Sequence, residues 1–85
     1  MDNELSDVAD LMEEVIEDTT VPRNIRRSVD DAKQKIMSKE EIGLRITSAI
    51  YCLDDISNDI NMPSHTRTEI WTIISELERL REKSK

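Results

Sequence analysis

Apolar residues recur at spacings of three and four along four segments of the chain, the pattern of amphipathic helices. The four stripes are Leu5, Val8, Leu11, Met12, Val15 and Ile16; Ile25, Val29, Ala32 and Ile36; Ile42, Ile46, Ala49, Leu53, Ile56 and Ile60; and Ile70, Ile73, Ile74, Leu77 and Leu80. One glycine and two prolines are too few for the corners of a sheet. The pattern therefore predicts helices near 4–17, 22–37, 39–58 and 63–82.

The ends of these helices are predicted from their capping residues. Pro22 and Pro63 suit the first turn of a helix, where a missing N–H is not needed. Thr20 and Asn61 precede them by two residues and can accept hydrogen bonds from the first amides of each helix. The S-x-x-E pattern at 38–41 resembles a capping box, which predicts that the third helix starts directly after its serine.

Shifting the chain by 41 residues aligns its two halves. The matched residues outside the apolar stripes are Asp18 with Asp59, Pro22 with Pro63, and Arg26 with Arg67. A shared helical period does not explain these matches, so we expect two repeated helix–Pro-turn–helix hairpins near 4–37 and 45–78. Each hairpin has one apolar face, which predicts an all-α four-helix bundle forming a single domain over 1–85. Within each turn, we expect the arginine to face the aspartate.

The two proline turns, Val21-Pro22-x-x-x-Arg26 and Met62-Pro63-x-x-x-Arg67, resemble those of uncharacterised protein family 0147, a set of short archaeal proteins. The length and the acidic first helix before Ile25-Arg26-Arg27 are similar as well. The resemblance covers essentially the whole chain. It implies a four-helix bundle and an archaeal cytoplasmic origin, and it carries over no catalytic residue.

Composition excludes several classes of protein. A net charge of −7 argues against sequence-independent binding of nucleic acid, which needs a basic face. Leu, Ile, Val and Phe make up 21 of 85 residues, above the level at which disorder is expected. No apolar run is long enough to span a bilayer, and the acidic start does not resemble a secretory signal. Cys52 has no disulfide partner, so the sequence predicts a cytoplasmic protein.

Charge is divided unevenly between the first two helices. Residues 1–20 contain eight acids and no base, whereas residues 21–37 have a balance of +3. The two helices can therefore attract each other as antiparallel neighbours. The acidic helix could alternatively dock onto a basic partner protein.

Residues that could carry out catalysis are few. His65 is the only histidine and lacks the Glu-x-x-His spacing of a di-iron bundle, and no phosphate-binding glycine motif is present. Cys52 aligns with Leu11 of the first repeat, so we expect a buried and inert thiol. His65 aligns with Asn24, which indicates an exposed residue in the first turn of a helix. The sequence predicts no cofactor, no metal and no enzyme.

Two aromatic residues mark a candidate partner surface. Tyr51 and Trp71 stand where the first repeat has Asp10 and Asp30, and Leu44 lies seven residues before Tyr51. Half-covered packing at the edge of the core would explain both rings. Alternatively, the rings anchor an interface, since tyrosine and tryptophan are enriched at binding hot spots.

The sequence thus predicts a small non-enzymatic module for protein interaction or assembly. Its partner would be another protein or a second copy, with neither nucleic acid nor membrane involved. The alternatives are a homodimer that holds a ligand at its interface and a carboxylate metal enzyme.

Overall fold

A computed structural model describes residues 2–84 of the chain. Within this range it has four helices and no strand: α1 Asp2–Glu17, α2 Arg23–Ile36, α3 Ile42–Ile56 and α4 Ser64–Lys83. Each helix packs against its neighbours in sequence, and α1 also packs against α4, so the four helices form a closed ring. The bundle measures 34 × 18 × 17 Å, and the prediction of an all-α four-helix bundle is confirmed.

The apolar stripes of the four helices meet in one hydrophobic core, except that Leu11, expected on the first stripe, lies outside the core and is 36% exposed. Its largest fully buried side chains are Met12, Val15, Val21, Ile25, Val29, Ile36, Ile46, Leu53, Ile70, Ile73, Leu77 and Leu80. Ile60 was expected on the third stripe, and this is wrong. Helix α3 ends at Ile56, so Ile60 lies in the following turn, where 92% of it is exposed.

The predicted capping box at 38–41 is also wrong. Helix α3 begins at Ile42, and Glu41 is its N-cap residue without a side-chain capping bond. Arg45 on α3 donates through Nη1 to the carbonyl oxygens of Ile36 at 3.1 Å and Ser38 at 3.5 Å. This arginine binds the end of α2 and one carbonyl oxygen of the connection at 37–41, and so joins the start of α3 to that connection.

Each proline lies one position before the first helical residue and not, as expected, in the first turn itself. Pro22 (φ −54°, ψ 145°) and Pro63 (φ −59°, ψ 148°) are N-cap residues and not the first helical residues. Their carbonyl oxygens accept the first intrahelical hydrogen bonds, from the amides of Arg26 and Arg67 respectively. The fixed φ of proline suits this extended cap conformation as well as it suits the first turn.

Ion pairs join α1 to both of its neighbours. Glu13 accepts a hydrogen bond from Lys33 of α2, the attraction expected between the first two helices. Glu4 lies near the other end of α1, where it accepts from Arg79 and Lys83 of α4 at 3.1 Å each. Because these contacts pair the start of α1 with the end of α4, the two helices run antiparallel.

Candidate interaction surfaces

The turns at 18–22 and 57–63 lie at the same end of the bundle and are built alike. Asp18 Oδ1 accepts from the backbone amide of Thr20 at 2.9 Å and from its hydroxyl at 2.6 Å. Asp59 Oδ1 accepts from the backbone amide of Asn61 at 2.8 Å. Thr20 and Asn61 therefore close the turns and do not cap α2 and α4, contrary to the sequence-based expectation.

The second oxygen of each aspartate reaches across to the other hairpin. Asn24 Nδ2 donates to Asp59 Oδ2 at 3.1 Å, and His65 Nε2 lies 3.1 Å from Asp18 Oδ2. These four residues exchange places under the shift of 41, so the two contacts are equivalent. The hydrogen bonds from Thr20, followed by that from His65, lower the pKa of Asp18 to about 2.

The two turn arginines bind backbone oxygens. Arg26 Nε donates to Val21 O at 3.0 Å. Arg67 donates through Nη1 to Ser57 O at 2.6 Å and through Nη2 to Asp59 O at 3.1 Å. The expected ion pairs with the aspartates are wrong, because the aspartate side chains are already used by the turns and by the opposite hairpin.

The candidate partner surface comprises Leu44, Tyr51 and Trp71, which are 48%, 68% and 50% exposed. Leu44 and Tyr51 are two turns apart on α3 and so lie on one face of that helix. Trp71 lies on the flank of α4 away from the groove that Glu69 and Ile73 form with α1. Each side chain is thus available to solvent.

Tyr51 lies in the second half of α3 and Trp71 in the first half of α4, so both lie toward the turn that joins these helices. The hydrogen bond from Arg67 to Ser57 O joins the start of α4 to the end of α3. Tyr51 lies six residues before Ser57 and Trp71 four after Arg67. At about 1.5 Å per residue these are rises of about 9 Å and about 6 Å toward the middle of the bundle.

The α1–α2 side of the bundle differs at the corresponding positions. Asp10 and Asp30, which match Tyr51 and Trp71 under the shift of 41, are both exposed. One side of the bundle therefore presents two aromatic rings to solvent where the other presents two carboxylates.

A groove lined by arginines lies between the end of α1 and the start of α2. It is shallow and widely open to solvent, and it is lined by Arg23, Arg26, Arg27, Asp30 and Ile16. The guanidinium groups of Arg23 and Arg27 have no hydrogen-bond or ion-pair partner within residues 2–84. Here three cations are close together in a chain of net charge −7.

The candidate nucleophile, Cys52, is less buried than expected. It is partly exposed and packs against the edge of the core. This burial raises the pKa of its thiol, which disfavours the reactive thiolate. Nowhere in the described part of the chain do three or more His, Cys, Asp or Glu side chains converge as metal ligands. None of the helices there is long and apolar enough to cross a membrane.

Sequence reasoning missed three features of these surfaces. The contacts of Asn24 and His65 across the bundle were missed, although the two residues are aligned by the repeat. The groove at Arg23 and Arg27 was missed because only the net charge of the segment was considered. For Arg45, no pattern in the sequence indicates that it binds the end of α2.

Comparison with known proteins gives one consistent result. The model of the Uncharacterised protein family (UPF0147) matches residues 1–80. The UPF0147 protein of Methanocaldococcus jannaschii is 54% identical over 78 residues, covering 91% of this chain and 84% of the relative. That of Archaeoglobus fulgidus is 45% identical over 76 residues, covering 89% of this chain and 87% of the relative.

Two crystal structures have the same fold. The unknown-function protein MMP1188 is 53% identical, with a TM-score of 0.87 over 88% of this chain and 86% of that one. The UPF0147 protein from Thermoplasma acidophilum is 40% identical, also with a TM-score of 0.87, over 93% of this chain and 94% of that one.

Proposed function

The chain belongs to the Uncharacterised protein family UPF0147, and from this premise we propose that it is a small non-enzymatic module for protein interaction in the cytoplasm. Its binding surface comprises Leu44, Tyr51 and Trp71. The main support for the proposal is the exposure of Trp71 and Tyr51, each half or more in solvent, on the neighbouring helices α3 and α4. Its partner is a second copy of this chain or another protein.

Burial of the two rings would supply the energy of association. Aromatic side chains bury about 150–250 Å² each and dominate the energetics of interfaces. Monomers rarely expose contiguous apolar patches larger than a few hundred Å². The carboxylates at the matching positions, Asp10 and Asp30, show that the architecture itself does not require aromatic residues there.

The non-enzymatic part of the proposal is supported by the state of the two groups best suited to catalysis. The pKa of the Cys52 thiol is raised by burial, so little thiolate forms at neutral pH. His65 is engaged with Asp18 in a contact that has a structural counterpart in the other hairpin. A lone cysteine also fits a reducing cytoplasm.

Replacing the tryptophan tests the proposal. We expect Trp71→Ala to weaken association by about 1–2 kcal/mol or more while the melting temperature barely changes, since an exposed hot spot contributes to binding and little to folding. Asp30→Ala at the matching position of the first hairpin is the control and should leave association unchanged. Sedimentation equilibrium measures self-association of the three proteins over a range of concentrations.

A photo-crosslinker at position 51 extends the test to another protein. The crosslinker, introduced into cells that express the protein, should give a discrete adduct at position 51 and none at position 10. A monomer at every concentration together with no adduct specific to position 51 would contradict the proposal. An equal loss of association in Trp71→Ala and Asp30→Ala would also contradict it.

A further inference from the structure

The arginine groove lies between α1 and α2, on the side of the bundle opposite the candidate partner surface on α3 and α4. Arg23, Arg26 and Arg27 lie in the first five residues of α2, and Ile16 of α1 provides an apolar wall. The groove ends at Asp30, one turn further along α2. It is open to solvent, so a ligand can enter without any movement of the helices.

The three guanidinium groups have few partners of their own. Arg26 is held in place by the bond from its Nε to Val21 O, and its two terminal nitrogens make no other described contact. Arg23 and Arg27 are exposed and make no hydrogen bond or ion pair within residues 2–84. All three groups can therefore donate to the same anion.

This arrangement is unfavourable for the isolated helix. Arg23 and Arg27 are four residues apart, and like charges at this spacing repel each other. They also stand at the positive end of the helix macrodipole, where acidic residues are favoured, and the first turn of α2 contains none. Natural proteins break such local rules mainly at functional sites.

We propose that this groove binds a small phosphorylated metabolite that carries a hydroxyl group, such as a nucleoside diphosphate. Arginine presents a planar fork of donors that matches phosphate oxygens in a bidentate manner, and the groove contains arginine without lysine. Asp30 is the one acid in the lining, and its carboxylate accepts a hydrogen bond from the hydroxyl group of the ligand. Ile16 contacts an apolar face of the same ligand.

The start of α4 provides an internal comparison. The residues that match Arg23 and Arg27 under the shift of 41 are Ser64 and Thr68. Only Arg26 has a counterpart, Arg67, and that arginine is used by two backbone carbonyl oxygens. The turn architecture therefore needs one arginine per hairpin. The other two in the first hairpin remain available for a ligand.

The test is a titration of the full chain with ADP and, separately, with inorganic pyrophosphate. Calorimetry measures the affinity, and NMR of the arginine Nε–H groups shows which arginines are affected. We expect saturable binding of both probes, with the largest shifts at Arg23 and Arg27. The double variant Arg23→Gln/Arg27→Gln should bind at least about tenfold more weakly, since it loses two charge-assisted contacts. Lys35→Gln/Lys39→Gln removes the same charge elsewhere and should stay within about twofold of the original affinity.

Stability in the absence of ligand is a second readout. Because Arg23 and Arg27 have no partner, the double glutamine variant should melt at the same temperature as the original chain or higher. A clearly lower melting temperature would show that these arginines have a structural role and would overturn the proposal. An equal loss of affinity in the lysine control would also overturn it, because the attraction would then be non-specific.

A variant of Asp30 tests the hydroxyl contact. Asp30→Asn should improve binding of pyrophosphate, since a repelling carboxylate is removed, and should improve binding of ADP less or weaken it. An equal gain for both probes would overturn the role of Asp30. If a glutamate-rich peptide or single-stranded RNA binds more tightly than ADP, the assignment to a small phosphorylated ligand is wrong. Either result would leave the separate proposal for Trp71 unaffected.

Discussion

The turns at 18–22 and 57–63 share one construction but use their arginines differently. In both, an aspartate binds the amide two residues on, and a proline in nearly the same conformation caps the next helix. Yet Arg26 donates to Val21 O through Nε alone, whereas Arg67 donates to Ser57 O and Asp59 O through both terminal nitrogens. The same spacing of residues therefore gives two different hydrogen-bond patterns.

The difference arises from the helix that precedes each turn. Helix α1 continues to Glu17, the residue before its turn aspartate. Helix α3 ends at Ile56, two residues earlier in the register of the repeat, and Ser57 is buried with its hydroxyl bonded to Asp54 O. Ser57 O thereby lies outside the helix, whereas its counterpart Ile16 still belongs to α1, and Arg67 binds Ser57 O together with Asp59 O. The local pattern determines the cap, and the preceding helix end determines the partner of the arginine.

The largest expected effect is the loss of Arg67. Arg67→Met should lower the free energy of unfolding by about 2–3 kcal/mol, because two charge-assisted hydrogen bonds are lost and the part-buried Ser57 O is left without its donor. Arg26→Met removes one hydrogen bond and should cost about 1 kcal/mol. Denaturant unfolding of both variants measures the difference.

An equal decrease in the free energy of unfolding of the two arginine variants would contradict this interpretation of the turns. Arg67→Lys is a useful control, since it retains the charge but cannot reach two carbonyl oxygens with the same fork. It should recover only part of the stability.

Thr66 marks a second difference between the two hairpins. It matches Ile25 of the first hairpin and is equally buried, yet its hydroxyl has no hydrogen-bond partner. Thr66→Val has nearly the same shape and should raise the free energy of unfolding by about 1–2 kcal/mol, because a buried polar group without a partner is removed.

The reverse change in the first hairpin is the matched control for Thr66. Ile25→Thr introduces a buried hydroxyl and should destabilise the bundle by about 2 kcal/mol or more. Thermal denaturation suffices, since about 1 kcal/mol shifts the melting temperature of a domain this small by about 4–8 °C. A lower melting temperature for Thr66→Val would mean that its hydroxyl is bonded.

These residues show which features the sequence could predict. The four stripes predicted the bundle, since a period of 3.6 residues determines which side chains are buried regardless of the partner. Helix ends were less accurate, because long-range contacts decide them. Arg45 binds the end of α2 from another helix, and α3 begins three residues later than its capping-box pattern indicated.

The sequence predicted a candidate surface only where the identity of the residues was enough to indicate it. Tyr51 and Trp71 were recognised because aromatic rings replace aspartates at matched positions. The arginine groove depends on which guanidinium groups find a partner, and this depends on the three-dimensional arrangement of every acid nearby. Origin of the hairpins by duplication stays a prediction, although the paired contacts of Asn24 and His65 agree with it.

The smallest expected effect concerns acid and the turn at 18–22. Hydrogen bonds from Thr20, and then from His65, lower the pKa of Asp18 from its ordinary value of 3.8 to about 2. Between these values the unfolded chain binds a proton that the folded chain does not, so the contribution of Asp18 is complete above pH 3.8 and is lost as the pH falls toward 2. Thr20 supplies two of these bonds, one from its hydroxyl.

Thr20→Asn gives the first turn the residue that the second turn has at Asn61. We expect the pKa of Asp18 to rise toward its ordinary value, because the hydroxyl donor is lost while the backbone donor is retained. The acid-dependent loss of stability attributable to Asp18 should then still begin near pH 3.8, the ordinary value that applies to the unfolded chain, but it should be smaller and end at a higher pH. An NMR titration of the Asp18 carboxyl carbon measures the pKa, and unfolding at pH values between about 4 and 2, compared with Asp18→Asn, isolates its contribution to stability. If Asp18 titrates at the same pH in both proteins, the threonine hydroxyl does not lower its pKa, and the prediction is wrong.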